Sequence, residues 1–198
     1  MKKIFLSLVI LSLVCTVCCI REDYEGQKPN VNNGGGGIGG GEEPVASFTV
    51  GQEYGGGIVA YVDDTKKHGI IAAPYDQSAG IQWYNGSYFA TDATSDDGES
   101  NTKRIVQMQG NGNYAAKLCY DLVLNGYDDW YLPSKWELNQ LYINRVEIGG
   151  FDYSNTLYWS STETENNYYS ANCQNFSNGN RGGNRKDEPF RVRAVRSF

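Results

Sequence analysis

Six short segments carry the apolar, β-branched and aromatic residues of the chain: Gly57–Val62, Gly69–Ala73, Ile81–Trp83, Leu157–Ser160, Tyr168–Phe176 and Phe190–Phe198. Gly, Asn, Asp or Pro bounds them, and punctuation this dense confines strands to a few residues and favours antiparallel pairing. The 24 Gly and an aromatic share of 13% point the same way and exclude a helical bundle or coiled coil. Two helices interrupt the strands. In Asn113–Asn125, residues Ala115, Leu118, Cys119 and Leu122 share one face, and Gly126 stands where a C-terminal cap belongs. The second starts at Ser134, which with Glu137 forms a capping box after Pro133, and Leu138, Leu141 and Tyr142 make its apolar stripe. The pattern predicts one α+β domain over 44–198, long enough for a single core and without an internal repeat.

The amino-terminal part has a different character. Lys2 and Lys3 precede an uncharged apolar run that ends among Cys15, Cys18 and Cys19, the layout of a secretory signal. A retained anchor is the alternative, since Ile4–Ile20 is at the short limit for a bilayer span. A signal ending at cysteine resembles those of bacterial lipoproteins, in which the first mature thiol is acylated. Residues 1–18 are then the signal peptide and Cys19 the acylated residue. Cys18 is the second choice, because it follows the β-branched Val17. Arg21, Glu22, Asp23 and Glu25 resemble the acidic export tag of Bacteroidetes-type lipoproteins, which places the protein on the outer face of the outer membrane; a plain solvated linker is the other reading. Residues 19–43, acidic and then Gly-rich, read as a flexible tether with a reach of roughly 25–30 Å.

Composition and motifs restrict the chemistry. A net charge of −6 excludes a nucleic-acid footprint. The one histidine, His68, lies in a Lys-Lys-His-Gly turn, away from any partner for nucleophilic catalysis. Zinc motifs of the CxxC or HExxH kind are absent, so no metal and no cofactor are expected. Calcium is possible without a motif: Asp92, Asp96, Asp97 and Glu99 crowd one segment but lack a regular ligand spacing, and a solvated loop reads equally. Export makes a Cys119–Cys173 disulfide possible, closing a loop of about 54 residues for roughly 3–4 kcal/mol. Two buried thiols are the alternative.

Several stretches carry a family resemblance: Gly55–Val59, His68–Ala73, Ala115–Cys119, Asn125–Ser134 with its DWYLPS run, Tyr158–Glu163, Phe176–Gly179 and Val192–Arg196. In this order they resemble the domain that ends the Legionella collagen-like adhesin, over about Thr49–Phe198. The resemblance implies a C-type-lectin-like fold, with two helices packed on small antiparallel sheets whose first and last strands meet. Some relatives of that fold are formylglycine-generating oxidases that use nearby cysteines, an arrangement absent between Cys119 and Cys173. The calcium-lectin EPN or QPD and WND motifs are also absent; Glu188-Pro189 matches only two letters. The DWYLPS aromatics read as scaffold. Arg191, Arg193 and Arg196 read as structural ion pairs with Asp128, Asp129 or Glu163, or as an anion ladder.

One polar segment, Glu165–Glu188, reads as a surface. Asn166, Asn167, Tyr168, Tyr169, Asn172, Asn175, Asn178, Arg181 and Lys186 combine amides, which donate and accept, with phenols that cover apolar sugar faces. The expected function is a surface-tethered, non-enzymatic recognition module for a glycan or a host or microbial surface protein. The alternative is a structural or assembly lipoprotein whose Tyr- and Asn-rich face docks a partner chain. Asn and Gly also suit plain connecting loops.

Overall fold

The structure is a computed structural model that describes residues 47–198. The expected signal peptide, the expected acylation site at Cys19 or Cys18, the expected tether and the expected start of the folded unit at residue 44 lie outside the described residues.

Among the described residues, nine strands and four helices follow in the order β1 (Glu53–Tyr54), β2 (Gly57–Val62), β3 (Gly69–Ala72), β4 (Ser78–Ile81), α1 (Gly98–Gln109), α2 (Ala115–Tyr120), α3 (Lys135–Ile143), α4 (Arg145–Ile148), β5 (Leu157–Thr164), β6 (Asn167–Asn175), β7 (Arg181–Arg185), β8 (Phe190–Val192) and β9 (Val195–Ser197). The domain is α+β. One sheet runs β1-β2-β3-β9 and the other β4-β8-β5-β6-β7. All pairings are antiparallel except β5 with β8, which meet at Tyr158 and Arg191.

Adjacent residues of β5 divide the interior. Tyr158 and Trp159 are both fully buried and, by strand alternation, face opposite sides of the sheet. Tyr158 joins a cluster with Tyr131, Leu138, Leu141 and Phe176. Trp159 joins the other, with Trp83, Trp130, Ile105 and Cys119. The two indoles are tied to the backbone, Trp159 Nε1 donating to Ile81 O at 2.9 Å and Trp83 Nε1 to Ser160 O at 2.8 Å. The aromatic run at Trp130–Leu132 is scaffold, as its composition implies: all three residues are buried, and Tyr131 exchanges both backbone hydrogen bonds with Val195.

The sequence expectations for the carboxyl end need revision. Phe190–Phe198 is two strands in two sheets. Val192, Arg193, Ala194 and Val195 are all buried in succession, which a single alternating strand cannot satisfy, so the chain crosses from one sheet to the other at Arg193–Ala194. The capping box of α3 is formed as expected, with Ser134 N–H donating to Glu137 and Glu137 N–H to Ser134 Oγ. The helix expected over Asn113–Asn125 ends at Tyr120. Asn125 and Gly126, at φ of 53° and 84°, form instead a tight turn between Leu124 and Tyr127.

Two further corrections concern charge and thiols. Arg196 pairs with Asp129 through two hydrogen bonds of 2.6 and 2.7 Å, but Arg193 pairs with Asp76 and Arg191 with Asp76 and Asp152. Asp128 and Glu163 take no arginine; the ladder is structural. Cys119 and Cys173 are not joined: both are buried free thiols. Cys173 Sγ accepts from Asn184 Nδ2 at 3.2 Å and donates to Gly182 O at 3.3 Å, so β6 and β7 already satisfy it. Burial pushes the Cys173 thiol up to about 11 and that of Cys119 higher still. Both are therefore expected to resist iodoacetamide at pH 8 in the native protein and to be alkylated fully after unreduced denaturation, as peptide mass spectrometry would register. Recovery of a 119–173 cross-linked peptide would contradict this.

Candidate functional site

The β5–β6 hairpin turns through Glu165 and Asn166, the latter at φ 57°. The first residues of β6 that follow this turn are exposed. Tyr168 and Tyr169 are 43% and 49% exposed. Their rings stack with centroids 4.1 Å apart, and the Tyr168 hydroxyl donates to that of Tyr169 at 2.6 Å. Tyr88 packs on Tyr169 at 5.2 Å and Tyr84 on Tyr88 at 4.7 Å. Four phenol rings from two distant segments thus form one row.

A buried ion pair places the second segment. Lys186 Nζ contacts the carboxylate of Glu163, donates to Phe89 O at 3.2 Å and lies 4.4 Å from the Trp83 ring centroid. Glu163 Oε2 accepts the backbone N–H groups of Thr91 and Asp92 at 2.9 and 3.0 Å. The loop bearing Tyr84 and Tyr88 is held at both ends of this pair. Burial lowers the Lys186 ammonium below the ordinary lysine range, an effect that Glu163 opposes.

Polar groups rim the row. Arg185 donates to both oxygens of Asp187, at 2.9 and 2.7 Å, and to the Tyr88 hydroxyl at 3.4 Å. The guanidinium holds the Asp187 carboxyl well below the usual carboxylate range. Burial raises the Tyr88 phenol, and the Tyr169 hydroxyl raises that of Tyr168, so these hydroxyls stay protonated at neutral pH. Asn167 braces the turn, its Oδ1 accepting Tyr169 N–H at 3.1 Å.

The nine residues expected to bind ligand therefore separate. Asn166, Asn167, Tyr168 and Tyr169 stand at the row. Asn172 and Arg181 line a cleft of about 300 Å³ between α3 and β6–β7, together with Lys135, Trp136 and Gln174. Asn172 donates to Thr162 O and Glu163 O, both at 3.2 Å, where β5 bulges. Two residues are corrected. Lys186 is 1% exposed and committed to Glu163, so it positions the loop and is inaccessible to a ligand. Asn175 is buried in an Asx turn, accepting from Ser177 N–H and donating to Asn155. Asn178 is exposed in the β6–β7 turn, where it accepts Asn180 N–H at 2.9 Å.

Three of the four acidic residues at 92–99 are likewise engaged by structure, and Asp96 lines the cleft beside α3. Asp97 caps α1 through Ser100, Asp92 pairs with Arg104 at 2.7 Å, and Glu99 pairs with Lys103. Among the described residues, no three His, Cys, Asp or Glu side chains gather as a metal site would require. Tyr84 and Tyr88 were missing from the sequence-based set. Their signal is a pair of tyrosines four apart in a Gly- and Ser-containing loop, of which Tyr84 also packs, half-buried, against the core.

The pattern of the Lcl C-terminal domain family matches residues 73–196. The chain belongs to this family. A search of the curated proteins finds no match. Among solved structures the chain is similar to a fimbrial protein from Bacteroides ovatus ATCC 8483, with a TM-score of 0.48 and 16% identity, covering 70% of this chain and 43% of that one. The chain thus spans less than half the length of that protein. Within this Lcl C-terminal domain, the Trp130–Ser134 and Tyr158–Thr162 runs are buried, whereas Tyr168 and Tyr169 are exposed. Tyr168 and Tyr169 therefore lie at the surface, outside these buried runs. No helix among the described residues is long and apolar enough to cross a membrane.

Proposed function

We propose that this Lcl C-terminal domain is a non-enzymatic, surface-presented recognition module that binds glycans through the row Tyr84, Tyr88, Tyr169 and Tyr168. The observation that carries the reading is the exposure of stacked phenol rings beside fixed amides and an Arg–Asp pair. Such rings cover the apolar face of a sugar while their hydroxyls hydrogen-bond its edges. In this reading the fold is a C-type-lectin-like variant, which α1 and α3 beside two small sheets support, although the last strand, β9, pairs with β3 and not with the first strand. The reading also includes an acylated Cys19 and a Gly-rich tether over 19–43 that present the domain 44–198 on the outer membrane. Neither metal nor cofactor takes part, because the acidic residues at 92, 97 and 99 are engaged in a cap and ion pairs.

The test is a glycan and extracellular-matrix array probed with the full chain, with and without EDTA. The wild type is expected to bind a glycan class equally in both buffers. The double substitution Tyr168→Ala/Tyr169→Ala is expected to weaken binding by about tenfold or more. As a surface change it should alter stability by only about 0.5 kcal/mol. Undiminished binding by this folded double variant would contradict the proposal.

A further inference from the structure

Strand β7 ends its sheet, and Arg181, Gly182, Gly183 and Arg185 along it are exposed. Two backbone bonds fix the phase of its pairing with β6: Asn175 N–H to Asn180 O at 2.8 Å and Lys186 N–H to Tyr169 O at 3.0 Å. Continuing that ladder through the register Cys173 with Gly182 and Ala171 with Asn184 turns the N–H and C=O groups of Gly182 and Asn184 inward. The groups of Arg181 and Gly183, and the N–H of Arg185, then point away from the sheet. The Arg185 carbonyl already accepts Glu188 N–H at 3.1 Å. The edge carries no proline and no bulge, two devices that block strand addition.

Charge beside this edge selects the occupant. Arg185 is neutralised by Asp187, whereas Arg181 has no acidic partner among the described residues. Lys135, across the cleft on α3, is also without an ion pair among the described residues, so the two cations outnumber Asp96, the one acidic residue of the cleft lining. Between them, the buried Gln174 donates to Asn139 and Gly179 but leaves its Oε1 without a hydrogen-bond donor. Trp136, 40% exposed, supplies an apolar wall. A second copy of the chain is a poorer occupant: antiparallel pairing centred on Gly183 would set Arg181 of each copy against Arg185 of the other and bring no carboxylate directly opposite Arg181.

We infer that β7 is a receptor edge for an extended peptide strand of another protein, with an acidic side chain seated by Arg181 and Lys135. This site adjoins the tyrosine row at Arg185 but stands without the glycan reading. The test uses the full chain and a phage-displayed library of random ten-residue peptides, followed by amide hydrogen exchange with the selected peptide. Selected sequences are expected to alternate β-formers with Asp or Glu. Binding should slow exchange at the amides of Arg181, Gly183 and Arg185 by about tenfold or more, leaving Gly182 and Asn184 unchanged. Arg181→Glu, an exposed change whose folding a thermal melt checks, should weaken the selected peptide by about tenfold and shift selection toward Lys and Arg. Tyr168→Ala/Tyr169→Ala should leave peptide binding intact. Failure to select any peptide, protection of those amides by concentration alone, or affinity indifferent to Arg181→Glu would overturn the inference.

Discussion

Asp76→Ala is expected to destabilise the domain by about 3–5 kcal/mol, read as a lowered urea midpoint at unchanged m-value. Asp76 is the anion for the most deeply buried guanidinium of the fold. Its Oδ1 accepts Arg193 Nε at 2.7 Å, and its Oδ2 accepts Arg191 Nη1 at 3.1 Å and the Tyr158 hydroxyl at 2.8 Å. Arg193 is fully buried, stacked 4.2 Å from the Phe151 ring centroid and donating to the carbonyls of Ala73, Gly149 and Gly150. Removing the carboxylate leaves this cation at the crossing between the two sheets with neutral acceptors only. Arg191 keeps Asp152 and suffers less. Asp76→Asn, which retains an acceptor without its charge, should cost less than alanine. A loss below about 1 kcal/mol for Asp76→Ala would show that the buried charge is compensated by the carbonyls alone.

The second large effect falls at Glu163 and Lys186. Glu163→Ala removes the counter-ion of a buried ammonium and the acceptor of two backbone N–H groups, and should cost about 3–5 kcal/mol. Lys186→Met leaves a carboxylate still held by Thr91 and Asp92 N–H and replaces the stem with an apolar chain of similar length, so its cost should be smaller. The order is the informative result. Both changes release the loop that carries Tyr84 and Tyr88, so faster amide exchange at 84–92 should accompany the loss of stability. Equal costs, or a larger one for Lys186→Met, would contradict the assignment of Glu163 as the hub.

Strands with apolar alternation were legible in the sequence. Gly57–Val62 is β2 as expected, and β3, β5 and β6 begin within a residue of their expected starts. Helix α1 was not legible, because the face it buries is Gly98, Asn101, Thr102 and Ile105, three of them without apolar side chains. That face is secured by hydrogen bonds: Asn101 Nδ2 to Ser95 O at 2.7 Å, and Thr102 Oγ1 exchanging with Leu132 O and N–H. Strand β7 was hidden for a related reason. Arg-Gly-Gly-Asn-Arg contains no apolar residue, since an edge strand needs only backbone pairing on one side.

The candidate site was legible in half. Tyr168 and Tyr169 stood out because two adjacent phenols lie in a segment rich in Asn and Gly. Their partners Tyr84 and Tyr88 lie about eighty residues away and meet them only through the Glu163–Lys186 anchor, a tertiary contact that no local pattern encodes. Lys186 misled for the complementary reason: flanked by Arg185 and Asp187 it reads as solvated, yet strand alternation turns it inward between two outward charges.

Aromatic-detected NMR of the full chain, titrated with the glycan that binds best on the array, tests the recognition surface most directly. Saturable shifts centred on the rings of Tyr84, Tyr88, Tyr168 and Tyr169, with Trp83 and Trp159 unmoved, are the result the account predicts. Shifts centred on the acidic segment 91–99 instead, or an array on which the wild type binds no glycan, would contradict it.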